Sequence, residues 1–123
     1  MPRRRPPTED DGTYRRPTVV VLMAEHGPYL WNRSPAHQRG SDEFEVDPVA
    51  LGVSPGLIAA MEDWNNRYAP TAEYDWPSLG EERSWVREGL TLAYRLQQEL
   101  GEDVEVRYHD DADERPVLGR RGP

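Results

Sequence analysis

The residues best suited to catalysis by their type and position are Glu25 and His26, at the end of an apolar run from Val19 to Ala24. A histidine beside a carboxylate can act as a general base. Adjacent residues of a strand point to opposite faces, however, so the two side chains would not naturally meet. Glu25 and His26 are therefore the candidate catalytic pair of one hypothesis: a small enzyme or small-molecule-binding protein with a pocket at the end of strand 19–24.

Metal and cofactor motifs are missing from the sequence. It has three scattered histidines and no cysteine, which excludes thiolate catalysis, disulfides and cysteine-based metal sites. Neither a P-loop nor a dinucleotide-binding glycine pattern follows the first apolar run. The acidic segment 42–47 lacks the glycine turn and the distal glutamate of an EF-hand loop. We therefore expect no metal, no cofactor and no other catalytic constellation.

A second hypothesis rests on residue types that dominate protein interfaces, namely Trp, Tyr and Arg. Several of them lie in the connections between predicted elements, and segment 42–47 adds carboxylates that suit a basic partner. These aromatic residues form either a recognition patch or the rim of a small core, and the sequence leaves both interpretations open. The predicted partner-binding residues are Trp31, Arg33, Asp42, Glu43, Glu45, Arg67, Tyr74 and Trp76.

The charge of the chain narrows the class of partner. Its 123 residues include 23 acidic and 15 basic side chains, which gives a net charge of −8. Phosphate contacts need clustered cations, so the sequence predicts no nucleic-acid partner. The negative charge of the predicted domain would attract a basic protein. The same charge is also explained by a need for solubility. No segment approaches the ~20 apolar residues of a membrane span, and we expect a cytoplasmic protein without membrane contact.

Hydrophobic periodicity predicts the elements that position these residues. The β-branched run at 18–24 is typical of a strand buried on both faces, and residues 29–31 fit a short second strand or a packed loop. Ser54 and Pro55 are typical of a helix start. Apolar residues then recur along one face of this first helix.

The segment from Ser78 to Tyr108 carries the clearest structural signal. Ser78 and Glu81 fit a capping box at the start of a second helix, and Gly101 fits its C-terminal cap. Alternation of apolar and charged residues at 104–108 then predicts a strand with one face toward solvent.

Three residues of the second helix need a separate explanation. Gly89 weakens a helix by roughly 1 kcal/mol relative to alanine, and we expect it to allow the close approach of another element, such as the first helix. Arg83 and Arg87 lie one turn apart without an acid at helical spacing. They are expected to pair with Glu62 or Asp63 on the first helix, or to face a partner.

The order of elements, β-(β)-α-α-β, predicts an α+β fold, with two helices packed on one face of a small sheet of two to four strands. Strand 19–24 fits the centre of the sheet. Strand 104–108 fits an edge, and an open edge makes a homodimer a third hypothesis. Residues 1–16 and 110–123 are predicted to be disordered tails around a single domain at 17–109.

The residues that pattern the helices and the last strand and mark where they end also resemble those of known proteins. The residues concerned are Leu57, Trp64, Tyr68, Glu88-Gly89-Leu90, Leu92-Ala93, Leu96, Glu99-Leu100-Gly101 and Val104-Glu105-Val106. This pattern is similar to that of a set of small actinobacterial proteins of unknown function, over residues 18–108. The resemblance implies no activity and no site residue.

Taken together, these features favour a non-enzymatic, acidic interaction module that binds another protein. Some proteins of this size and charge act as immunity, inhibitor or accessory proteins, and the analogy extends that class of function to this chain. The enzyme or small-molecule-binding hypothesis around Glu25 and His26 stays open beside it.

Overall fold

The computed structural model describes residues 16–25, 27–35, 45–71, 76–110 and 113–117. These residues form a four-stranded mixed sheet and three helices, which confirms the predicted α+β fold. The elements are β1 (Val19–Leu22), β2 (Leu30–Asn32), α1 (Pro48–Leu51), α2 (Pro55–Thr71), α3 (Leu79–Leu100), β3 (Glu105–Asp110) and β4 (Asp113–Pro116).

The strands lie in the order β2-β1-β3-β4. β1 pairs with β2 in an antiparallel hairpin and with β3 in parallel. A parallel pair needs a long crossover connection, which the three helices supply. β1 is therefore a central strand, as predicted, and its residues Val20, Val21 and Leu22 are fully buried.

The strand predicted at 104–108 does not lie at an edge of the sheet. β3 pairs with β1 on one side and with β4 on the other, and the N–H of Val117 donates to the carbonyl of Val106 at 2.9 Å. The prediction of an open edge at 104–108 is therefore wrong, and the homodimer hypothesis loses the edge on which it depended.

β4 lies within segment 110–123, which the sequence analysis assigned to a disordered tail. Its four residues are three charged side chains and a proline, a composition typical of a protected edge strand but without apolar alternation. Val117 follows it and is buried. The sheet thus extends beyond residue 109, where the predicted domain ends. The predicted tail at 1–16, apart from Arg16, lies outside the described residues.

The two long helices pack on one face of the sheet, as predicted. Strand alternation places Val20 and Leu22 of β1 and Val106 of β3 on that face. One apolar cluster joins these residues to Leu57 of α2 and Leu96 of α3. On the opposite face Val21 lies in register with Trp31 and Arg107.

Capping contacts confirm the predicted starts of both long helices and the predicted end of α3. Ser54 Oγ accepts a hydrogen bond from the N–H of Leu57 at 3.3 Å, and Ser78 Oγ accepts one from the N–H of Glu81 at 3.1 Å. Gly101 ends α3 with a φ of 76°, a conformation that favours glycine.

Two buried amide side chains connect helices to loops. Gln97 of α3 bonds to the backbone of residues 101, 104 and 106. Asn65 of α2 accepts from the N–H of Glu25 at 2.8 Å and donates to the carbonyl of Gly27 at 3.0 Å. Asn65 therefore holds the chain at the end of β1 against α2.

Membrane-spanning helices and metal-binding clusters are both absent from the described part of the chain. Neither α2 nor α3 has an apolar stretch of the length and low charge that a bilayer span requires. No group of three or more carboxylate or imidazole side chains there lies close enough to hold a metal ion.

Candidate functional site

The contact between α2 and α3 is built around two tryptophans. The rings of Trp64 and Trp85 stack with centroids 4.5 Å apart and planes within 5°. Trp64 Nε1 donates to the carbonyl of Trp85 at 3.0 Å, and Trp85 Nε1 donates to the carbonyl of Trp64 at 2.8 Å. Both indole N–H groups are therefore satisfied inside the interface.

Gly89 makes this packing possible. A Cβ atom at this position would lie 2.5 Å from Trp64 Cζ2 and closer still to Tyr108 Oη. The hydroxyl of Tyr108 donates to the carbonyl of Val86 at 2.7 Å, which fixes the ring against α3. The prediction that Gly89 allows close approach of the first helix is confirmed.

The aromatic packing continues from the core to the surface. Tyr68 stacks on Trp85 with centroids 5.4 Å apart, and Trp76 meets the same indole at 5.3 Å with a 43° tilt. Trp76 is half-buried. The contact with Trp85 thus holds Trp76, a predicted partner-binding residue, at the protein surface.

These aromatic rings form one wall of an open groove of about 720 Å³. The groove lies at the carboxyl-terminal ends of β1 and β3, which end side by side because the strands are parallel. The first three turns of α3 form another wall. The lining residues are Met23, Ala24, Glu25, Tyr68, Trp76, Leu79, Glu82, Arg83, Trp85, Val86, Arg87, Tyr108, His109 and Asp110.

Arg83 and Arg87 are exposed and have no ion pair within the described residues. Neither Glu62 nor Asp63, their predicted partners on α2, forms an ion pair with them in the described part of the chain, and Asp63 instead pairs with Arg67 at 3.1 Å. The alternative prediction, that the two arginines face a partner, stays open. The groove contains carboxylates as well, at Glu25, Glu82 and Asp110.

Arg67 links the two long helices. Its guanidinium bonds to Asp63 within α2 and to Glu88 of α3. The hydrogen bond to Glu88 raises the pKa of the Arg67 guanidinium above its ordinary value, despite partial burial. The predicted partner-binding residue Arg67 thus bridges α2 and α3 at the protein surface, where its side chain is 44% exposed.

Arg33 is also held by an internal ion pair, on the sheet face opposite the helices. It donates to both oxygens of Glu114, at 3.3 and 2.9 Å, and His109 Nδ1 lies 3.4 Å from the same carboxylate. Burial raises the pKa of Glu114, but the hydrogen bond and charge of Arg33, with the contribution of His109, outweigh it and leave that pKa below its ordinary value.

The predicted partner-binding residues divide between two sides of the sheet. Trp31 is half-buried in β2 and donates from Nε1 to the carbonyl of Met23 at 3.0 Å. The exposed Glu45 forms an antiparallel bridge with Trp31. Trp76, in contrast, lies on the helical side. Asp42, Glu43 and Tyr74, like His26 of the alternative catalytic pair, lie outside the described residues.

Four groove residues are singled out by the sequence, namely Glu25, Trp76, Arg83 and Arg87. Nothing in the sequence brings them to one place without the pairing of β1 with β3. His109 and Asp110 join the site through that parallel pairing alone. The element order contained a signal for this pairing. A strand followed by helices and then a second strand is the connection that a parallel pair requires.

Comparison with known proteins assigns the fold to a family. A family model described as Serratia CdiI immunity protein-like matches residues 19–111, from the start of β1 to the end of β3. Among curated proteins none matches the chain. The match does not bear on the resemblance to actinobacterial proteins, which stays a prediction. Because the matched segment covers more than half of the sequence, this chain belongs to the Serratia CdiI immunity protein-like family.

Proposed function

We propose that this protein is an immunity protein, which binds a protein toxin and blocks its action. The observation that carries the proposal is the family match over residues 19–111. That segment includes β1, β2, β3 and all three helices, so the match concerns the folded body of the chain. The proposal agrees with the hypothesis of an acidic interaction module.

The charge of the chain supports a basic toxin. Its net charge is −8, and several arginines of the described domain are already neutralised, as Arg33 is by Glu114 and Arg107 by Glu105. Unpaired carboxylates therefore dominate the long-range field, which speeds the encounter with a basic protein.

Among the predicted partner-binding residues that the structure describes, Glu45 and Trp76 are the ones we assign to direct contact with the toxin. Glu45 is exposed beside β2, and Trp76 is half-exposed at the groove. Arg33 and Arg67 have carboxylate partners within the fold, and we assign them a supporting role. This assignment leaves one candidate surface on each side of the sheet.

The proposal is tested with the products of the genes adjacent to the gene for this chain. A neighbouring product that stops bacterial growth when expressed alone is expected to become harmless when it is co-expressed with this protein. Native mass spectrometry of the purified pair should then show a stoichiometric complex. Its affinity should fall as salt rises, because attraction between opposite charges is screened. Undiminished toxicity together with no complex at micromolar concentrations would overturn the proposal.

A second candidate function is retained because of the position of the groove. Ligands of α/β proteins often bind outside the carboxyl ends of parallel strands, and Glu25 lines the groove at the end of β1. This candidate predicts that a small molecule from a metabolite library raises the unfolding temperature. A substitution of Glu25 by Gln should reduce that shift, whereas Glu102→Gln, in an exposed turn, should not.

A further inference from the structure

We infer that the groove between α3 and the ends of β1 and β3 receives an extended segment of the partner, which presents a carboxylate beside an apolar side chain. The inference rests on the proposed function and adds the contact surface and the chemistry that the surface recognises. Three independent features of the described residues support it: unpaired guanidinium groups, an aromatic wall and a suitable volume.

The first feature is which of the described arginines form ion pairs with carboxylates. Four of them in the described ranges have carboxylate partners, namely Arg33, Arg67, Arg107 and Arg115. Arg83 and Arg87 have no such partner there, and both line the same groove. Two of the described arginines without a carboxylate partner thus lie together at one concave surface.

The arrangement of Arg83 and Arg87 suits a carboxylate. They lie one turn apart on α3, where two like charges slightly destabilise a helix. A carboxylate bound between them would relieve this repulsion. Guanidinium groups also form paired, charge-assisted hydrogen bonds with carboxylates, which gives orientation as well as binding energy.

The second feature is the aromatic wall. Trp76 contacts Trp85, which in turn is fixed by its hydrogen bond to the carbonyl of Trp64. A ring held in place before binding loses little conformational entropy on contact with a partner. Trp, Tyr and Arg, the residue types that most often dominate interface energies, all occur in this groove.

The third feature is size. A volume of about 720 Å³ lies within the range of roughly 300–1,000 Å³ that is typical of sites for small ligands. It accommodates a few side chains of an extended segment. Glu25, Glu82 and Asp110 also line the groove and would repel a carboxylate, so we expect them to direct it toward the two arginines.

The experiment measures binding to the purified toxin domain from the neighbouring gene by calorimetry. Arg83→Ala and Arg87→Ala are each expected to weaken binding by ~10-fold, which is the scale of an interface residue that contributes more than 1 kcal/mol. Trp76→Ala should have an effect of similar size. Arg95→Ala is the matched control, because Arg95 is exposed on α3 and does not line the groove; it should leave the affinity within about twofold, as for most contacts outside a hot spot.

Charge reversal identifies the bound group. Arg87→Glu should abolish measurable binding, and replacement of one toxin Asp or Glu by Arg should restore it. Far-UV circular dichroism and urea unfolding of each variant confirm that the fold is kept.

Two results would overturn the inference. One is wild-type affinity in the Arg83→Ala/Arg87→Ala double variant. The other is binding of a free dicarboxylate such as succinate that competes with the toxin and is lost in the same variant, since this would make the groove a small-anion site. If the wild-type chain fails to bind the toxin domain and fails to protect cells, the proposed function itself is wrong. Binding that is indifferent to these arginines contradicts the groove inference alone.

Discussion

Trp64 and Trp85 each donate their indole N–H to the backbone carbonyl of the other, across stacked rings 4.5 Å apart. This reciprocal contact fixes the distance and the rotation between α2 and α3. It also positions Trp85 to support Trp76 at the groove. The α2–α3 interface is therefore part of the site as well as part of the core.

The first prediction concerns the glycine that admits this contact. Gly89→Ala should destabilise the protein by about 1–3 kcal/mol, since the new methyl group overlaps Trp64 and Tyr108 in a packed region. This cost opposes the ~1 kcal/mol that alanine gains over glycine in a helix. Urea unfolding followed by tryptophan fluorescence measures the difference.

Gly80, in the first turn of the same helix, provides the matched control. An added Cβ there has its closest contact at 3.8 Å, to Ser78 Oγ, so Gly80→Ala should be neutral or stabilising by up to ~1 kcal/mol. Equal effects of the two substitutions would contradict the close approach at Gly89.

Local signals were sufficient to predict most elements of this fold. Ser54, Ser78 and Gly101 set the helix ends through contacts within a few residues of each cap, and such contacts can be read from sequence. β4 could not be predicted from its own charged residues, because it forms a strand through pairing with β3.

The site was less predictable than the fold, because it depends on contacts between distant segments. The pairing of Arg33 with Glu114 joins residues 81 positions apart, and no local pattern reveals it. The same holds for Asn65, whose amide holds the backbone at Glu25 and Gly27. Sequence alone therefore named groove residues without showing which of them meet.

A second prediction concerns Gln97, a buried amide with three backbone contacts. Its Nε2 donates to the carbonyls of Gly101 and Val104, and its Oε1 accepts from the N–H of Val106 at 2.8 Å. Gln97→Met should cost about 2–3 kcal/mol, because a buried N–H group that loses its partner costs about 1–3 kcal/mol. The neighbouring Gln98 is exposed, and Gln98→Met should change the free energy of unfolding by less than ~0.5 kcal/mol.

The third prediction concerns the stability of the ion pair at Glu114 in acid. Its pKa in the folded protein is below the ordinary value of 4.5, so the carboxylate stabilises the fold above that value, and the contribution is lost as the pH falls through the folded pKa. Glu114→Gln should therefore lower the free energy of unfolding at neutral pH, and its difference from wild type should shrink as the pH falls from neutral to below 4.5.

Urea unfolding across that pH range tests this prediction. Glu102→Gln is the control, since Glu102 is exposed and makes no ion pair with the described residues. A difference between wild type and Glu114→Gln that stays constant or grows in acid would contradict the assigned role of Arg33 at Glu114.

The last prediction compares two buried tyrosine hydroxyls. Tyr29 Oη is buried and has no hydrogen-bond partner in the described part of the chain, and burial, with the nearby charges of Glu62 and Asp47, raises the pKa of Tyr29 to about 12. Tyr29→Phe removes an unpaired polar group, so it should leave stability unchanged or raise it by up to ~1 kcal/mol. Tyr108→Phe removes the bond to the carbonyl of Val86 at 2.7 Å and should cost about 0.5–1.5 kcal/mol. Urea unfolding of the two variants gives both values, and a larger loss at Tyr29 than at Tyr108 would show that the Tyr29 hydroxyl is bonded in solution.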